Sequence, residues 1–371
     1  MYLLPRDHYS SARPILHALD VHLAVDAILD GRTEGQVYVD DPERPRAALA
    51  QRRHRFYLAV EEAAAGADLL TDWSEVLYPQ SQAAGHEMYV LYATSTEWAP
   101  LIEETLADRD PLPTPRQYWA ISTQELPEPP PLPVGYEVVH VDGALLQADL
   151  LHVDALREEI ESEHGSTEAF LAESFGVCAL YGGLEIAGWC LAEYPNAERA
   201  EVGIETLHPH RRRGLGTAMA VALIGQARAR GLSQVGWHSY TRNAPSIGTA
   251  RKAGFHKVCD VPAYVGHYDP VVHLSDRGYA AVGQGRLEEG LAWLERAFAQ
   301  GVAPGWAYYT AGCACAALGR PGEAFRYLAR AVERGFDERV IYESDDKLRP
   351  LHGRAEWEAL LERLGRPGGG G

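Results

Sequence analysis

The sequence predicts an α/β (α+β) chain: a mixed sheet with flanking helices at its centre, another α/β segment before it, and an all-α helical-repeat region after it. Three observations predict this. Between residues 201 and 259 the chain reads strand, glycine loop, helix, strand, short helix, strand. The proline-rich run Glu125–Val134 removes amide donors and favours an extended spacer, which separates that block from an earlier helix-and-strand segment. Beyond Asp269-Pro270, alternation gives way to Ala, Leu, Glu and Arg in helical spacing. The expected domains are therefore 1–124, a linker over 125–134, 135–270, a helical domain over 271–367, and a flexible glycine tail at 368–371. A length of 371 residues allows two or three such domains, each with its own core.

Composition narrows the partners. Lys and Arg total 34 against 52 for Asp and Glu, a formal charge of −18, and such a surface repels phosphate backbones and anionic lipid heads. No nucleic acid and no membrane surface is expected as a partner. The five cysteines are odd in number and form no CxxC pair, which argues against a disulfide framework and a zinc ribbon and for a reducing, cytoplasmic setting. The first residues, with Pro5, Arg6 and Asp7, lack the apolar core of a signal peptide. No metal site is expected, since the one close histidine pair, His208 and His210, falls in a loop with another explanation and reads as solvated or ligand-facing.

In chain order, the first segment holds a helix around Leu16–Leu29, strands at Gly35–Pro42, Ala47–Ala50 and Arg55–Ala59, and a last strand at Gln117–Ser122. The central segment opens with a strand at Tyr136–Val141 and helices through Phe170. A hairpin follows from Phe175–Leu180 and Ile186–Tyr194, turned by Gly182-Gly183. Then comes Glu201-Val-Gly-Ile-Glu-Thr-Leu-His-Pro-His-Arg-Arg-Arg-Gly-Leu-Gly-Thr-Ala218: a strand, a turn, a loop, and a helix ended by Gly231. Gly214 and Gly216 let the backbone curl so that successive amides converge where the helix dipole is positive. Arg211, Arg212 and Arg213 form the densest basic cluster of an acidic chain at that spot, which therefore suits a phosphate. A further strand, Gln234–Ser239, leads into Asn243-Ala-Pro-Ser246 and a short helix closed by Gly254-Phe255.

These residues resemble the GNAT superfamily of N-acetyltransferases: Arg211–Gly216 matches its Arg/Gln-x-x-Gly-x-Gly/Ala loop, and Asn243 with Gly254-Phe255 matches its later signature. The wording around Glu201, Trp237-His-Ser and Asn243-x-x-Ser246 is most similar to the branch that includes zwittermicin A resistance proteins. The resemblance implies a GNAT-like mixed sheet preceded by a degenerate GNAT-like domain, which lacks the arginine-glycine loop and would form a substrate wall or a dimer contact. It implies acetyl-CoA as cofactor, its diphosphate on Arg211, Arg212, Arg213, Gly214, Leu215, Gly216 and Thr217. Its pantetheine arm would pair with the main chain near Thr206 and Leu207 and be lined by Asn243 and Ser246, although Asn243 can equally cap the short helix.

The chemistry so implied is attack of a neutral amine on a thioester, which needs a base and a proton donor. Along the strand, Glu201, Gly203 and Glu205 share one face, so Glu201 and Glu205 are the candidate bases, with a water chain as the alternative. The family's usual tyrosine, four residues before the Gly-Phe glycine, is Ala250 here. Tyr240, Tyr264 or a water is left as the acid.

Past residue 270, shifting the chain by 34 pairs Gly278 with Gly312, Gly290 with Ala324 and Leu294 with Leu328, a register that resembles the tetratricopeptide repeat, with a third unit cut down to one helix near Ala355–Leu364. A chance amphipathic helical hairpin is the plainer alternative. The expected activity is N-acetylation of a small-molecule amine, antibiotic or amino-acid-like. The alternatives are an acyl-CoA-binding sensor that recruits a protein partner through the repeats, and acetylation of proteins. Cys313 and Cys315, two apart on a helix, read as packing residues.

Overall fold

The computed structural model describes residues 1–364; the expected glycine tail lies outside them. The chain forms two compact units, residues 1–84 with 90–265, and residues 85–89 with those from 266 onward.

The first unit is built on two seven-stranded sheets. Its strands are β1 (Tyr2–Leu3), β2 (Gln36–Val39), β3 (Ala47–Arg52), β4 (Arg55–Val60), β5 (Met88–Ala93), β6 (Leu112–Pro113) and β7 (Arg116–Ser122), then β8 (Tyr136–His140), β9 (Gly176–Tyr181), β10 (Glu185–Glu193), β11 (Arg199–Thr206), β12 (Gln234–Tyr240), β13 (His256–Val261) and β14 (Ala263–His267). The helices are α1 (Arg13–Leu16), α2 (Leu23–Leu29), α3 (Ala63–Asp72), α4 (Tyr78–Ala83), α5 (Ala99–Thr105), α6 (Gly143–Gln147), α7 (Val153–His164), α8 (Thr167–Glu173), α9 (Leu215–Ala229) and α10 (Ala244–Lys252). One sheet runs β1-β2-β3-β4-β5-β14-β6 and the other β13-β7-β12-β11-β10-β9-β8.

The two halves thus exchange strands. β7, expected to end the first domain, lies between β12 and β13 of the second sheet, antiparallel to both, with Trp119 opposite Trp237 and Lys257. β14, at the far end of the central segment, joins the first sheet, where Tyr264 faces Pro113. A boundary at 124 therefore does not divide two folding units. The physical reason is in β7 itself: Tyr118, Trp119, Ala120 and Ile121 are all buried, as a strand with neighbours on both sides requires. The proline run that follows carries the chain from β7 to β8 at the other edge of the same sheet. It interrupts regular structure without ending the domain.

A second difference is the helix expected around Leu16–Leu29, which breaks between α1 and α2. His22 is extended there, at φ −104° and ψ 95°, and its amide closes a turn onto the Leu19 carbonyl at 2.8 Å. The expected hairpin at Gly182-Gly183 is present, both glycines having positive φ. The long helix α9 lays Leu215, Met219, Leu223 and Ile224 against Val177, Ala187 and Val235 of the sheet.

The second unit contains α11 (Pro270–Gly283), α12 (Leu287–Gln300), α13 (Gly305–Ala317), α14 (Pro321–Glu333), α15 (Arg339–Ser344) and α16 (Ala355–Leu364). Asp269 caps α11 through the amides of Val271 and Val272. The 34-residue shift has a geometric counterpart. A Cβ on Gly278 would lie 2.5 Å from Leu294, and one on Gly312 would lie 2.6 Å from Leu328, so each hairpin closes by the same glycine-on-leucine contact. Cys313 and Cys315 are buried in that core, and all five cysteines are free thiols. Among the described residues no helix is long and apolar enough to cross a membrane.

Candidate active site

The segment joining β11 to α9 is anchored by His210. The buried imidazole meets the Tyr136 hydroxyl at 2.8 Å through Nδ1 and Glu185 at 3.1 Å through Nε2. It is neither solvated nor facing a ligand, as the sequence suggested for the histidine pair. Beyond it Arg211, Arg212 and Arg213 are exposed, and both Arg212 (φ 61°) and Gly214 (φ 84°) are left-handed. α9 then begins with no side-chain cap. The first-turn amides of Leu215, Gly216 and Thr217 thus have no partner on the helix itself, at the positive end of a 15-residue dipole. A Cβ on Gly214 would meet nothing within 4 Å, so the space ahead of the helix is open. Gly216 sits closer, its would-be Cβ 3.2 Å from Thr249 of α10, and the Leu215 side chain belongs to the core.

The sheet opens beside this helix end. β11 and β12 pair in parallel only from Arg199 opposite Gln234 to Glu201 opposite Gly236. Further on, β11 stays with β10 as far as Thr206, and β12 stays with β7 as far as Tyr240. The gap between them leaves one edge of each strand unpaired. Leu207 donates its amide to the Ala187 carbonyl at 2.9 Å, so its main chain turns away from the gap, against expectation. By alternation Ile204 and Thr206 face it, and the Thr206 carbonyl accepts from Arg211 Nε at 2.8 Å.

A cavity of about 270 Å³ occupies the gap, lined along β11 by residues 201–204 and along β12 by residues 237–240. Glu201 lines it and is buried. Its Oε1 accepts the Leu23 amide at 2.5 Å and lies 3.7 Å from His238 Nε2. Glu205 does not line it; its carboxylate is ion-paired to Arg211 at 2.9 Å beside the loop. Tyr240 does, under the Arg116 guanidinium at 4.8 Å, and burial raises its pKa, so the hydroxyl keeps its proton. Tyr264, the other candidate acid, is in the first sheet and away from the cavity. Asn243 and Ser246 reach the cavity wall. Asn243 caps α10 through the Ser246 amide at 3.1 Å, and Ser246 Oγ accepts the Trp237 indole N–H at 3.0 Å. Both carry a structural duty at the cavity edge. Ala250 is fully buried in α10.

The strongest titratable group here is one the sequence reading passed over. Glu193, opposite Glu201 on β10, folds its carboxylate over Gly203, where any Cβ would collide with it. Burial, then the nearby Glu163 carboxylate, raise its pKa to about 8, with Arg55 opposing and Glu201 and Glu159 adding to the rise. Gly203 was the available signal, since a glycine inside a strand marks close approach of another group. Behind Glu193, Glu163 is held by Arg55 at 2.9 Å and accepts the Tyr194 hydroxyl at 2.7 Å; although burial pushes its pKa up, Arg55, with Arg52 and that hydroxyl, holds it below the ordinary value.

The amino-terminal half supplies the opposite wall. His22, placed by the break before α2, stacks on His238 at 4.6 Å with 4° between the ring planes, and burial holds its pKa well below 6.5, so the ring is neutral. His238 directs Nε2 at the Val21 carbonyl, 2.8 Å away; its Nδ1 has no protein partner, nor does His22 Nε2. Tyr57 and Tyr92 complete the wall. Among the described residues no group of three or more His, Cys, Asp or Glu could hold a metal ion.

The fold agrees with that of known proteins. The chain resembles a GCN5-related N-acetyltransferase-like protein of Streptococcus suis at 20% identity and TM-score 0.53, over 70% of this chain and 98% of that one. It also resembles a GCN5-related N-acetyltransferase of Sphaerobacter thermophilus at 16% identity and TM-score 0.51, over 72% and 95%. No curated protein matches the chain. The family model described as GNAT acetyltransferase matches residues 13–264, a span that includes β2 to β13, the split and the uncapped helix, and on that match the chain belongs to the GNAT acetyltransferase family.

Proposed function

We propose that this chain is an acetyl-CoA-dependent N-acetyltransferase acting on the primary amine of a small molecule. The observation that carries the reading is the divergence of β11 from β12 beyond Glu201 and Gly236, ending at a helix start that no side chain caps. The residues present fit the coenzyme. The amides of Gly214–Thr217 and the exposed Arg211–Arg213 suit a diphosphate, and the unpaired edge at Ile204 and Thr206 suits an arm that adds like a strand. Bound acetyl-CoA supplies a thioester whose carbonyl carbon a neutral amine attacks, with C–S cleavage.

The protein's own residues do the rest. Glu193 is the general base: with a pKa of about 8 it takes an ammonium proton far better than an ordinary carboxylate would. Glu201, already engaged by the Leu23 amide and beside His238, acts by holding the Leu23 segment and His238 in place. Tyr240, kept protonated at the cavity end of β12, is the proton donor for the departing thiolate. The cavity volume, about 270 Å³, suits a small acceptor rather than a folded protein's surface.

The motif wording supports the zwittermicin A resistance-like branch, and with it antibiotic or amino-acid-like amines. The matched glycine-on-leucine contacts support a tetratricopeptide-like array in the second unit, with a protein partner as its occupant. Five free thiols support a reducing, cytoplasmic setting.

The test is calorimetry with CoA on the full chain and on Gly214→Trp, beside thiol release from acetyl-CoA with amine acceptors. The indole would fill the open space before α9. The expected result is CoA binding by the parent, none by the variant, and unchanged circular dichroism for both. Equal affinities in the two proteins would remove the diphosphate assignment.

A further inference from the structure

Arg116 reaches the cavity only because β7 is exchanged into the second sheet, where it pairs with Tyr240 on one side and Val261 on the other. Its surroundings are unusual for a guanidinium. One Nη donates to the Tyr92 hydroxyl at 2.7 Å, and the group lies over the rings of Tyr240 at 4.8 Å and Tyr92 at 5.8 Å. Nε is shut off from solvent and has no hydrogen-bond partner. Among the described residues no carboxylate ion-pairs with Arg116, whereas the neighbouring Arg55 is paired with Glu163, a carboxylate that Arg52 shares. An enclosed charge without a counter-ion is costly, and a buried donor left unmade adds to the cost. The cost is recovered if a ligand brings the missing anion.

The same cavity has an opposite pole. The Glu193 carboxyl, an acceptor for an ammonium or amine, lines the wall with Arg116, beside the His238 ring. Resting on the acetyltransferase reading above, we infer that the acceptor is an amine that also carries a carboxylate, and that Arg116 is the specificity-determining residue that seats this carboxylate. The planar guanidinium fork matches a carboxylate, and the charge on Arg116, which no protein carboxylate pairs, matches a single negative charge. A phosphate monoester dianion would leave a charge unmatched beside Glu159, Glu193 and Glu201, which also line the cavity.

The experiment measures thiol release from acetyl-CoA by the full chain with the twenty common amino acids, their carboxamides and the corresponding aminophosphonates. Hydrogen bonds to a charged group differ from neutral ones by enough that the best amino acid should exceed its carboxamide in kcat/KM by a factor of about ten to a hundred. In Arg116→Gln that ratio should collapse to near one, and Arg116→Lys should restore part of it. Equal rates for acid and carboxamide in the parent protein would overturn the inference without any variant, as would a preference for the phosphonate or a ratio that survives in Arg116→Gln. Should no acceptor turn over, the increase in melting temperature of the CoA-saturated protein is read with the same three sets, and the same ordering is required. Absence of CoA binding is a separate result, which removes the acetyltransferase reading itself; intact CoA binding with carboxylate-blind acceptors removes only the role of Arg116.

Discussion

Replacing Glu193 by Gln separates the two consequences of its environment. The carboxyl titrates near 8 because burial and Glu163 on α7 disfavour its charge more than Arg55 on β4 favours it. At roughly 1.4 kcal/mol for each tenfold change in an acidity constant, raising it from 4.5 to about 8 corresponds to up to about 5 kcal/mol between its two protonation states. Between those pH values the native protein holds a proton that the unfolded chain has released, so this group's contribution to stability is fully present below 4.5 and is lost as pH rises toward about 8. Glu193→Gln cannot ionise. Its stability relative to the parent should therefore climb between pH 5 and 9, by an amount bounded by that figure and reduced by water reaching the cavity. Catalysis should move the other way. The parent's kcat/KM should rise with pH through about 8 as the base is freed, and the variant should lose this limb and roughly a hundredfold or more in rate. The assays are urea unfolding across pH and initial rates of thiol release over the same range. A variant that keeps the parent's pH profile, with a stability difference that does not change with pH, would refute both the burial argument and the role of base.

Two further substitutions test the surroundings. Gly203→Ala puts a methyl where the Glu193 carboxylate lies, so that side chain must leave its place; rates should fall and the alkaline limb should shift toward lower pH as the carboxyl becomes better solvated, measured from the pH dependence of kcat/KM. Tyr240→Phe should slow turnover by less than the roughly hundredfold typical of a lost general acid, because a thiolate leaves readily, and the deficit should shrink with acceptors that remain rate-limited by binding; single-turnover thiol release measures it.

Much of this was legible in the chain. Arg211–Gly216 before an apolar 3.6-residue pattern marks a glycine turn and an uncapped helix start, because φ-permissive glycines and first-turn amides are local properties. The 34-residue shift found the paired hairpins. The errors share a cause. Gln117–Ser122 was read as the last strand of the preceding domain because the prolines after it break regular structure, but which sheet a strand joins depends on who buries its two faces. Glu205 looked as good a base as any on its strand, yet Arg211 from the following loop claims it. Glu193 and Arg116 went unnoticed because nothing local distinguishes them from other charged strand ends.

By itself the sequence determined the strand, glycine loop and helix of the central segment, the family they belong to, and the helical hairpins after residue 270, since each depends on residue types at short or fixed spacings. Only the tertiary structure decided the chemistry of the cavity. A carboxyl titrates near 8 and a guanidinium lacks its counter-ion because of desolvation and of charges brought in from α7, β4 and the exchanged β7, and those distances exist only once the two halves have traded strands.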